Sequence, residues 1–305
     1  MCKYTGSVPE LPEVEALALD LKGRLTDRPI TRVDLAAFSA LKTFDPPLQA
    51  LHGTLVEDVT RHGKFLDITA SGLHLIVHLA RAGWIRWRDD VPKLPARPNS
   101  KNPLAARVVL DEDPQTDGGS GLTPGLDITE AGTKKSLAIY VVRDPLEVEG
   151  IARLGPDPLD ESFTIEVLDQ ILQDAGRAQI KGVLRHQGTI AGIGNAYSDE
   201  LLHAARMSPF KPANSLSDAE LQTLYDAIRN VLGDAVARSR GLAASELKGE
   251  KKSNLAVHGR TGEKCPVCGD TVREVSFADS SLQYCATCQT GGKPLADRRL
   301  SRLLK

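Results

Sequence analysis

Four cysteines in two pairs constrain this chain more than any other feature of its sequence. Two residues lie within each pair and 16 residues separate the pairs, which are Cys265 with Cys268 and Cys285 with Cys288. Each pair turns back on itself, so four thiolate sulfurs can take tetrahedral positions about 2.3 Å from one zinc ion. Because the protein fills all four positions, we predict one structural Zn²⁺ per chain and no catalytic cofactor.

Composition excludes membrane and secreted classes of protein. The 305 residues are 41% hydrophobic and 26% charged, which is typical of a globular chain. No apolar run approaches the roughly 18 residues that a membrane helix needs, and residues 1–8 lack the apolar stretch of a signal peptide. We therefore expect a cytoplasmic protein without membrane contact, in which clustered cysteines bind metal rather than form disulfides.

The hydrophobic pattern changes twice along the chain and predicts an α+β protein of several domains. Pro12, followed by acidic residues, marks the start of a helix. The apolar stripe of this helix lies at Val14, Leu17, Leu21 and Leu25. Residues 30–140 have the pattern of strands and turns. Beyond them the pattern becomes helical, with a capping box at Ser217 and Glu220, until the cysteines begin.

Several short motifs stand in order along the chain. They are PELPEVE at residues 9–15, RHGKF at 61–65, LGPDPL at 154–159, GIGNAYSDE at 192–200 and the two cysteine pairs. In this order they resemble the signature segments of the bacterial, zinc-finger-containing formamidopyrimidine-DNA glycosylase and endonuclease VIII family. The resemblance implies an N-terminal β-sandwich with a leading helix, a helix–two-turns–helix domain and a C-terminal zinc finger.

Pattern and resemblance together give the expected domain boundaries. We expect a leader at residues 1–8, a β-rich catalytic domain at 9–150, a helix–two-turns–helix DNA-binding domain at 151–250, a zinc finger at 251–291 and a basic tail at 292–305. The net charge of −2 gives no global sign of nucleic-acid binding. Residues 241–305, however, carry 11 Lys or Arg against 7 Asp or Glu, so positive charge is concentrated towards the C-terminus.

The resemblance also implies a catalytic mechanism. In this family an N-terminal proline attacks C1′ of a damaged nucleoside to form a Schiff base, and the matching residue is Pro9. An α-amine has a pKa of about 8, against about 10.4 for lysine, so more of it is nucleophilic at neutral pH. Glu10 would then be the general acid at the sugar, and Lys64 would reach the sugar-phosphate region. The implied activity is removal of oxidised or ring-opened bases, purine or pyrimidine, with abasic-site β-lyase cleavage.

Five residues match positions that contact DNA in the family. Asn195 would donate its amide to a phosphate, next to helix-start N–H groups that also attract the anion. Arg177 and Lys181 match a phosphate-contacting pair, although an exposed cationic helix face also explains Lys181. Tyr197 is either structural or DNA-binding, and Arg81 stands where the family places its lesion-probing residue. The implied partner is double-stranded DNA with a damaged base or abasic site, bound by a monomer at the nucleoid.

Two departures from the family bear on activity. Eight residues precede Pro9, so its nitrogen is a tertiary amide, which cannot form a Schiff base. Val8 is the residue that a GTG start codon would encode, and we expect the native chain to begin there with a methionine that is removed. Ser280 stands five residues before Cys285, where the family usually places an arginine that assists δ-elimination.

Two other functions stay open at this point. The blocked Pro9 and Ser280 favour a catalytically silent DNA-damage-binding protein of the same fold, whereas Glu10 and Lys64 argue for the enzyme. A zinc-ribbon module that binds RNA or the ribosome explains only the last 45 residues.

Overall fold

The computed structural model describes residues 8–92, 103–111, 122–131, 135–277 and 280–296. The expected leader up to residue 7 and the expected basic tail beyond residue 296 lie outside the described residues. The chain divides into two compact units. Unit 1 contains Met1–Arg153 and Ser239–Gly249, and unit 2 contains Leu154–Arg238 and Glu250–Lys305.

The first helix of unit 1, α1, spans Leu11–Leu25, as the apolar stripe predicts. Glu10 is its N-cap, and Pro12 lies in its first turn, where a missing N–H costs nothing. The stripe is buried in a core that both sheets of the unit share. The helix therefore forms because the residues at its N-terminus favour helix initiation and its apolar face is buried in the core.

Within the described part of unit 1, eight strands form two four-stranded antiparallel sheets. One sheet has the order β1-β6-β7-β5 and the other β2-β3-β4-β8. The strands are β1 Ile30–Leu35, β2 Val56–His62, β3 Phe65–Ala70, β4 Leu73–His78, β5 Gly83–Arg88, β6 Leu104–Leu110, β7 Gly125–Glu130 and β8 Ala138–Val142. Apolar residues of both sheets meet in one core, which confirms the predicted β-sandwich with a leading helix.

Unit 2 is mainly helical and ends in a two-stranded ribbon. In the part of the chain that the structure describes, α2 Glu149–Ala152 belongs to unit 1. The other α-helices there are α3 Ile165–Asp174, α4 Ile180–Arg185, α5 Asn195–Ala204, α6 Asp218–Ser239, α7 Leu247–Asn254 and α8 Ala286–Thr290. Strands β9 Val272–Ser276 and β10 Ser281–Cys285 pair antiparallel. The predicted capping box is present, since the Ser217 N–H donates to Glu220 Oε2 at 3.0 Å. Among the described residues, no helix is both long and apolar enough to cross a membrane.

One segment at the end of α6 groups with unit 1. It is Ser239–Gly249, and the boundaries of the expected helical domain at 151–250 stay a prediction. The buried Trp84 indole donates its Nε1–H to the Ala244 carbonyl at 2.8 Å. The Lys248 ammonium lies 4.3 Å from the centre of the Trp84 ring. A buried indole N–H needs an acceptor, and this segment supplies it.

Candidate functional site

The start of α1 holds two buried carboxylates. Glu10 and Glu13 are 2% and 1% exposed. The Glu10 backbone N–H donates to Glu13 Oε2 at 2.8 Å, and the Glu10 carboxylate accepts from the backbone N–H of Glu13. The positive end of the helix dipole stabilises such carboxylates. This reciprocal box fixes Glu10 directly beside Pro9, which is also buried.

The hairpin between β2 and β3 is joined to α1. Gly63 has a φ of +55° in the turn, and Lys64 follows it. Arg61 donates from Nε to Glu15 Oε2 at 2.7 Å and from Nη1 to the Gly63 carbonyl at 3.3 Å. Because Glu15 lies in the second turn of α1, this ion pair brings the hairpin that carries Lys64 to the helix that follows Glu10.

His78 lies on β4, opposite Phe65, the residue that follows Lys64 in the hairpin. Its imidazole stacks on Phe65 with ring centroids 4.5 Å apart. Burial, and then the positive charge of Lys64, lower the pKa of His78 to about 4. The imidazole is therefore neutral at neutral pH, and it does not repel the ammonium beside it.

An acid that the sequence reasoning missed lies in the same sheet. The Asp67 carboxylate is 1% exposed and lies 3.0 Å from both His62 Nε2 and His74 Nδ1. A buried carboxylate requires such donors. His62 directly precedes the hairpin turn, so the pair also restrains the strand that leads to Lys64. The sequence does contain a signal for this site, because the acidic Asp67 stands among the apolar residues of a strand.

Arg81 lies in the turn between β4 and β5, and its side chain is exposed. Ala80, before it, has a φ of +51°. A Cβ on Gly83 would lie 2.1 Å from the Leu79 carbonyl oxygen, so only glycine fits where β5 begins. The turn therefore presents Arg81 to solvent from a tightly defined backbone.

In unit 2, Asn195 is the first residue of α5. Gly192, with a φ of +82°, and the N-cap Gly194 shape the turn before it. Asn195 Nδ2 donates to the Ser281 carbonyl at 2.8 Å, and among the described residues its buried Oδ1 has no hydrogen-bond partner. The amide that the sequence assigns to a phosphate thus contacts the strand that leads to the third cysteine.

The structure separates the predicted pair of phosphate contacts. Arg177 is exposed. Lys181 is 5% exposed, and its Nζ donates to Asp199 Oδ1 at 2.6 Å, Ser198 Oγ at 2.7 Å and the Asn195 carbonyl at 3.1 Å. The burial of Lys181 disagrees with the alternative of an exposed cationic helix face, because Asp199 on α5 binds this ammonium inside the unit, and the phosphate contact stays a prediction.

Tyr197 is 3% exposed and packs in the core of unit 2. The Lys251 ammonium lies 4.7 Å from the centre of its ring. Of the two interpretations of Tyr197, this burial agrees with the structural one.

Asp199 and Glu200 join α5 to the segment that enters the cysteine cluster. Asp199 is fully buried and accepts from His258 Nδ1 at 2.8 Å and the Gln283 N–H at 3.1 Å. The Glu200 carboxylate accepts the backbone N–H groups of residues 256–258 at 2.6 to 2.9 Å. Burial raises the pKa of Glu200, and these three hydrogen bonds oppose the shift.

We expect Asp199→Asn to destabilise unit 2 by roughly 3–5 kcal/mol, because it leaves the buried Lys181 ammonium without its counter-charge. Urea denaturation followed by circular dichroism measures the change. Asp226→Asn, at an exposed acid of α6 that accepts from Gln222, is the matched control and should change little. An equal effect of both substitutions would show that the ion pair does not hold the unit together.

The four cysteines meet as their spacing predicts. Their sulfurs lie within 4.8 Å of one another. Cys265 and Cys288 are 3.9 Å apart, and Cys268 and Cys285 are 3.4 Å apart. Tetrahedral zinc with bonds of about 2.3 Å requires sulfur–sulfur distances of about 3.8 Å. The cluster therefore fits a four-thiolate zinc ion with no open position for water.

Comparisons with known proteins agree with this arrangement. Residues 8–118 match the formamidopyrimidine-DNA glycosylase N-terminal domain, residues 154–246 its H2TH domain, and residues 262–291 the zinc finger found in FPG and IleRS. The formamidopyrimidine-DNA glycosylase of Symbiobacterium thermophilum is 34% identical, over 96% of this chain and 93% of that protein. The chain belongs to the formamidopyrimidine-DNA glycosylase family.

Solved structures of the formamidopyrimidine-DNA glycosylase family share the fold. The MutM (Fpg) protein of Thermus thermophilus is 30% identical with a TM-score of 0.74, covering 94% of this chain and all of that one. The Lactococcus lactis enzyme, bound non-covalently to DNA with an abasic site, is 25% identical with a TM-score of 0.76 and covers 92% and 99%. A formamidopyrimidine-DNA glycosylase-like protein of Mycobacterium tuberculosis is 62% identical over 152 residues, which are 50% of this chain and 94% of that protein.

Proposed function

We propose that this chain is a base-excision repair glycosylase that removes oxidised or ring-opened bases from duplex DNA through a Schiff base at Pro9. One observation carries the proposal: Glu10 is buried and fixed beside Pro9, at the helix to which Arg61 joins the Lys64 hairpin. A stacked base is out of reach of such a site, so the lesion must leave the duplex before it reacts.

The chemistry needs three groups. The free secondary amine of an N-terminal Pro9 attacks C1′ as the C1′–N bond breaks, and the base leaves with a proton. The Pro9 nitrogen then loses its own proton, the C1′–O4′ bond breaks, O4′ takes up a proton as the sugar ring opens, and the iminium forms. Glu10 supplies and accepts protons at the sugar, and Lys64 contacts the adjoining sugar-phosphate. Loss of a proton from C2′ then breaks the 3′ C–O bond, which is the β-lyase step. With Ser280 in place of the arginine, we expect mainly the β-elimination product.

We expect Glu10→Gln to slow base release by about 10²–10⁴-fold, because an amide cannot act as a general acid. Cleavage of a pre-formed abasic site should slow less, since its base has already gone. Single-turnover assays on a duplex with one oxidised base, and on the matching abasic duplex, measure both rates. Glu57→Gln, an exposed acid on β2, is the control. Equal losses on the two substrates would remove Glu10 from the base-release step.

The second unit supplies the contacts to the DNA backbone in this proposal. The exposed Arg177 and the N-terminal end of α5 at Asn195 are the groups that we assign to phosphates. The L. lactis relative, which was solved with abasic-site DNA, supports duplex DNA as the partner. We further propose a monomer at the nucleoid in the cytoplasm, with one structural zinc ion.

Binding should weaken steeply with salt, because phosphate contacts release counterions. We expect Arg177→Ala to weaken binding to damaged and undamaged duplex alike, and to reduce the slope of log K against log salt by about 1. Arg177→Lys keeps the charge and should keep the slope. Fluorescence anisotropy at several salt concentrations measures both quantities. Affinity that does not change with salt would argue against backbone contacts.

The catalytically silent DNA-damage-binding protein is the second candidate. It is favoured by the peptide bond between Val8 and Pro9 in the 305-residue chain, which leaves no amine at Pro9.

A further inference from the structure

Helix α5 is bonded to the zinc module, which we define as residues 255–291, along a single stripe. Asn195, Asp199 and His203 are spaced by four residues, so their side chains lie on the same face of the helix. Asn195 bonds to the Ser281 carbonyl and Asp199 to the N–H of Gln283. The third member of the stripe reaches the metal site itself.

His203 contacts a zinc ligand directly. Its Nε2 lies 3.2 Å from Cys265 Sγ. The two residues are 5% and 2% exposed, so water does not compete for this contact. A cysteine that binds zinc is a thiolate and carries no hydrogen. The hydrogen between the two atoms must therefore belong to Nε2, and the imidazole is the donor.

We propose that His203 is a positioning residue that retains the metal, by donating its Nε2–H to the Cys265 thiolate. Four thiolates around Zn²⁺ leave an excess of negative charge, and a donor in the outer shell disperses part of it and fixes the direction of the sulfur lone pair. The donor comes from the helix that begins at Asn195. Metal retention and the geometry of α5 are thus linked through one side chain. The inference rests on zinc in the four-cysteine site and does not depend on glycosylase activity.

His203→Phe provides the test, because it keeps a ring of similar size and removes the donor. We expect the zinc affinity of the full chain to fall by about 10–100-fold, as is usual for loss of an outer-shell partner. Competition with a chromophoric chelator measures the affinity. In Co²⁺-loaded protein, the sulfur-to-cobalt charge-transfer band should shift, which a change of packing alone would not cause. His186→Phe, at an exposed histidine bonded to Thr189, should leave both readouts unchanged.

His203→Gln tests whether zinc affinity depends on the N–H donor or on the imidazole ring. It retains an N–H of similar reach, so we expect zinc affinity within about threefold of the unsubstituted chain and an unshifted cobalt band. If the phenylalanine variant does not fold, the glutamine variant provides the test. A folded glutamine variant whose zinc affinity falls tenfold or more overturns the proposal. A phenylalanine variant that retains zinc as tightly as the unsubstituted chain also overturns it. Absence of zinc from the unsubstituted chain would overturn the metal assignment and leave the proposed base excision to its own tests.

Discussion

A chain that begins at Pro9 should become covalently linked to DNA with an abasic site when borohydride is present, whereas the 305-residue chain should not become linked through Pro9. Only the shorter chain has a secondary amine at this position, and only an amine forms the iminium that borohydride reduces. The expected difference is all or none. Denaturing gel electrophoresis measures the adduct, and mass spectrometry of the digested adduct identifies the linked residue.

The matched control is the shorter chain with its N-terminal amine acetylated, which should bind abasic DNA without becoming linked. If the shorter chain binds this DNA tightly and does not become linked, the silent damage-binding function replaces the enzyme. If the 305-residue chain becomes linked efficiently, a lysine such as Lys64 is the reacting amine, and the assignment of Pro9 is wrong.

Cys268→Ser should abolish zinc binding and unfold the zinc module. Cys268 is exposed, so the substitution removes a ligand without opening a cavity. Among the described residues, the apolar side chains of the module form two small clusters, one with Val257 and Val272 and the other with Val275, Leu282 and Tyr284. Structural zinc supplies on the order of 10 kcal/mol of apparent folding free energy to such a module, which two clusters of this size cannot replace.

Elemental analysis measures the zinc content of the Cys268 variant, and amide hydrogen exchange measures the unfolding of its module. Thr287→Ala is the control within the cluster, because Thr287 lies between the last two cysteines and bonds only to Asp270 among the described side chains. It should retain one zinc per chain. An unsubstituted chain without zinc would contradict the metal assignment.

The features that the sequence predicts correctly depend on neighbouring residues. The start of α1 follows from Pro12 and the acids after it, and the cysteine cluster follows from two short spacings. The capping box at Ser217 needs only three residues of context. The interacting groups lie within one turn at α1 and at the capping box, and within one short segment, residues 265–288, in the cysteine cluster, so their geometry can be inferred without the rest of the fold.

The features that sequence reasoning missed depend on partners brought from far along the chain. The sequence predicts a phosphate contact or an exposed helix face for Lys181, because nothing near it in the chain shows that its ammonium would pair with the buried Asp199. The burial of Asp67 between two imidazoles depends on strand register, which the motifs do not determine. The roles of Pro9, Glu10 and the DNA contacts stay predictions, because they concern bound DNA.

The segment Ser239–Gly249 determines what limited proteolysis between the two units can release. Residues 1–153 belong to unit 1 and residues 154–238 to unit 2. This segment belongs to unit 1 again, and residues 250–305 belong to unit 2. A protease that cuts once after Arg153 would therefore not release a complete unit. The C-terminal fragment would keep the fully buried Leu247 and the Ala244 carbonyl that Trp84 requires. We expect the two fragments to copurify as a complemented pair, and either one expressed alone to expose apolar surface and aggregate.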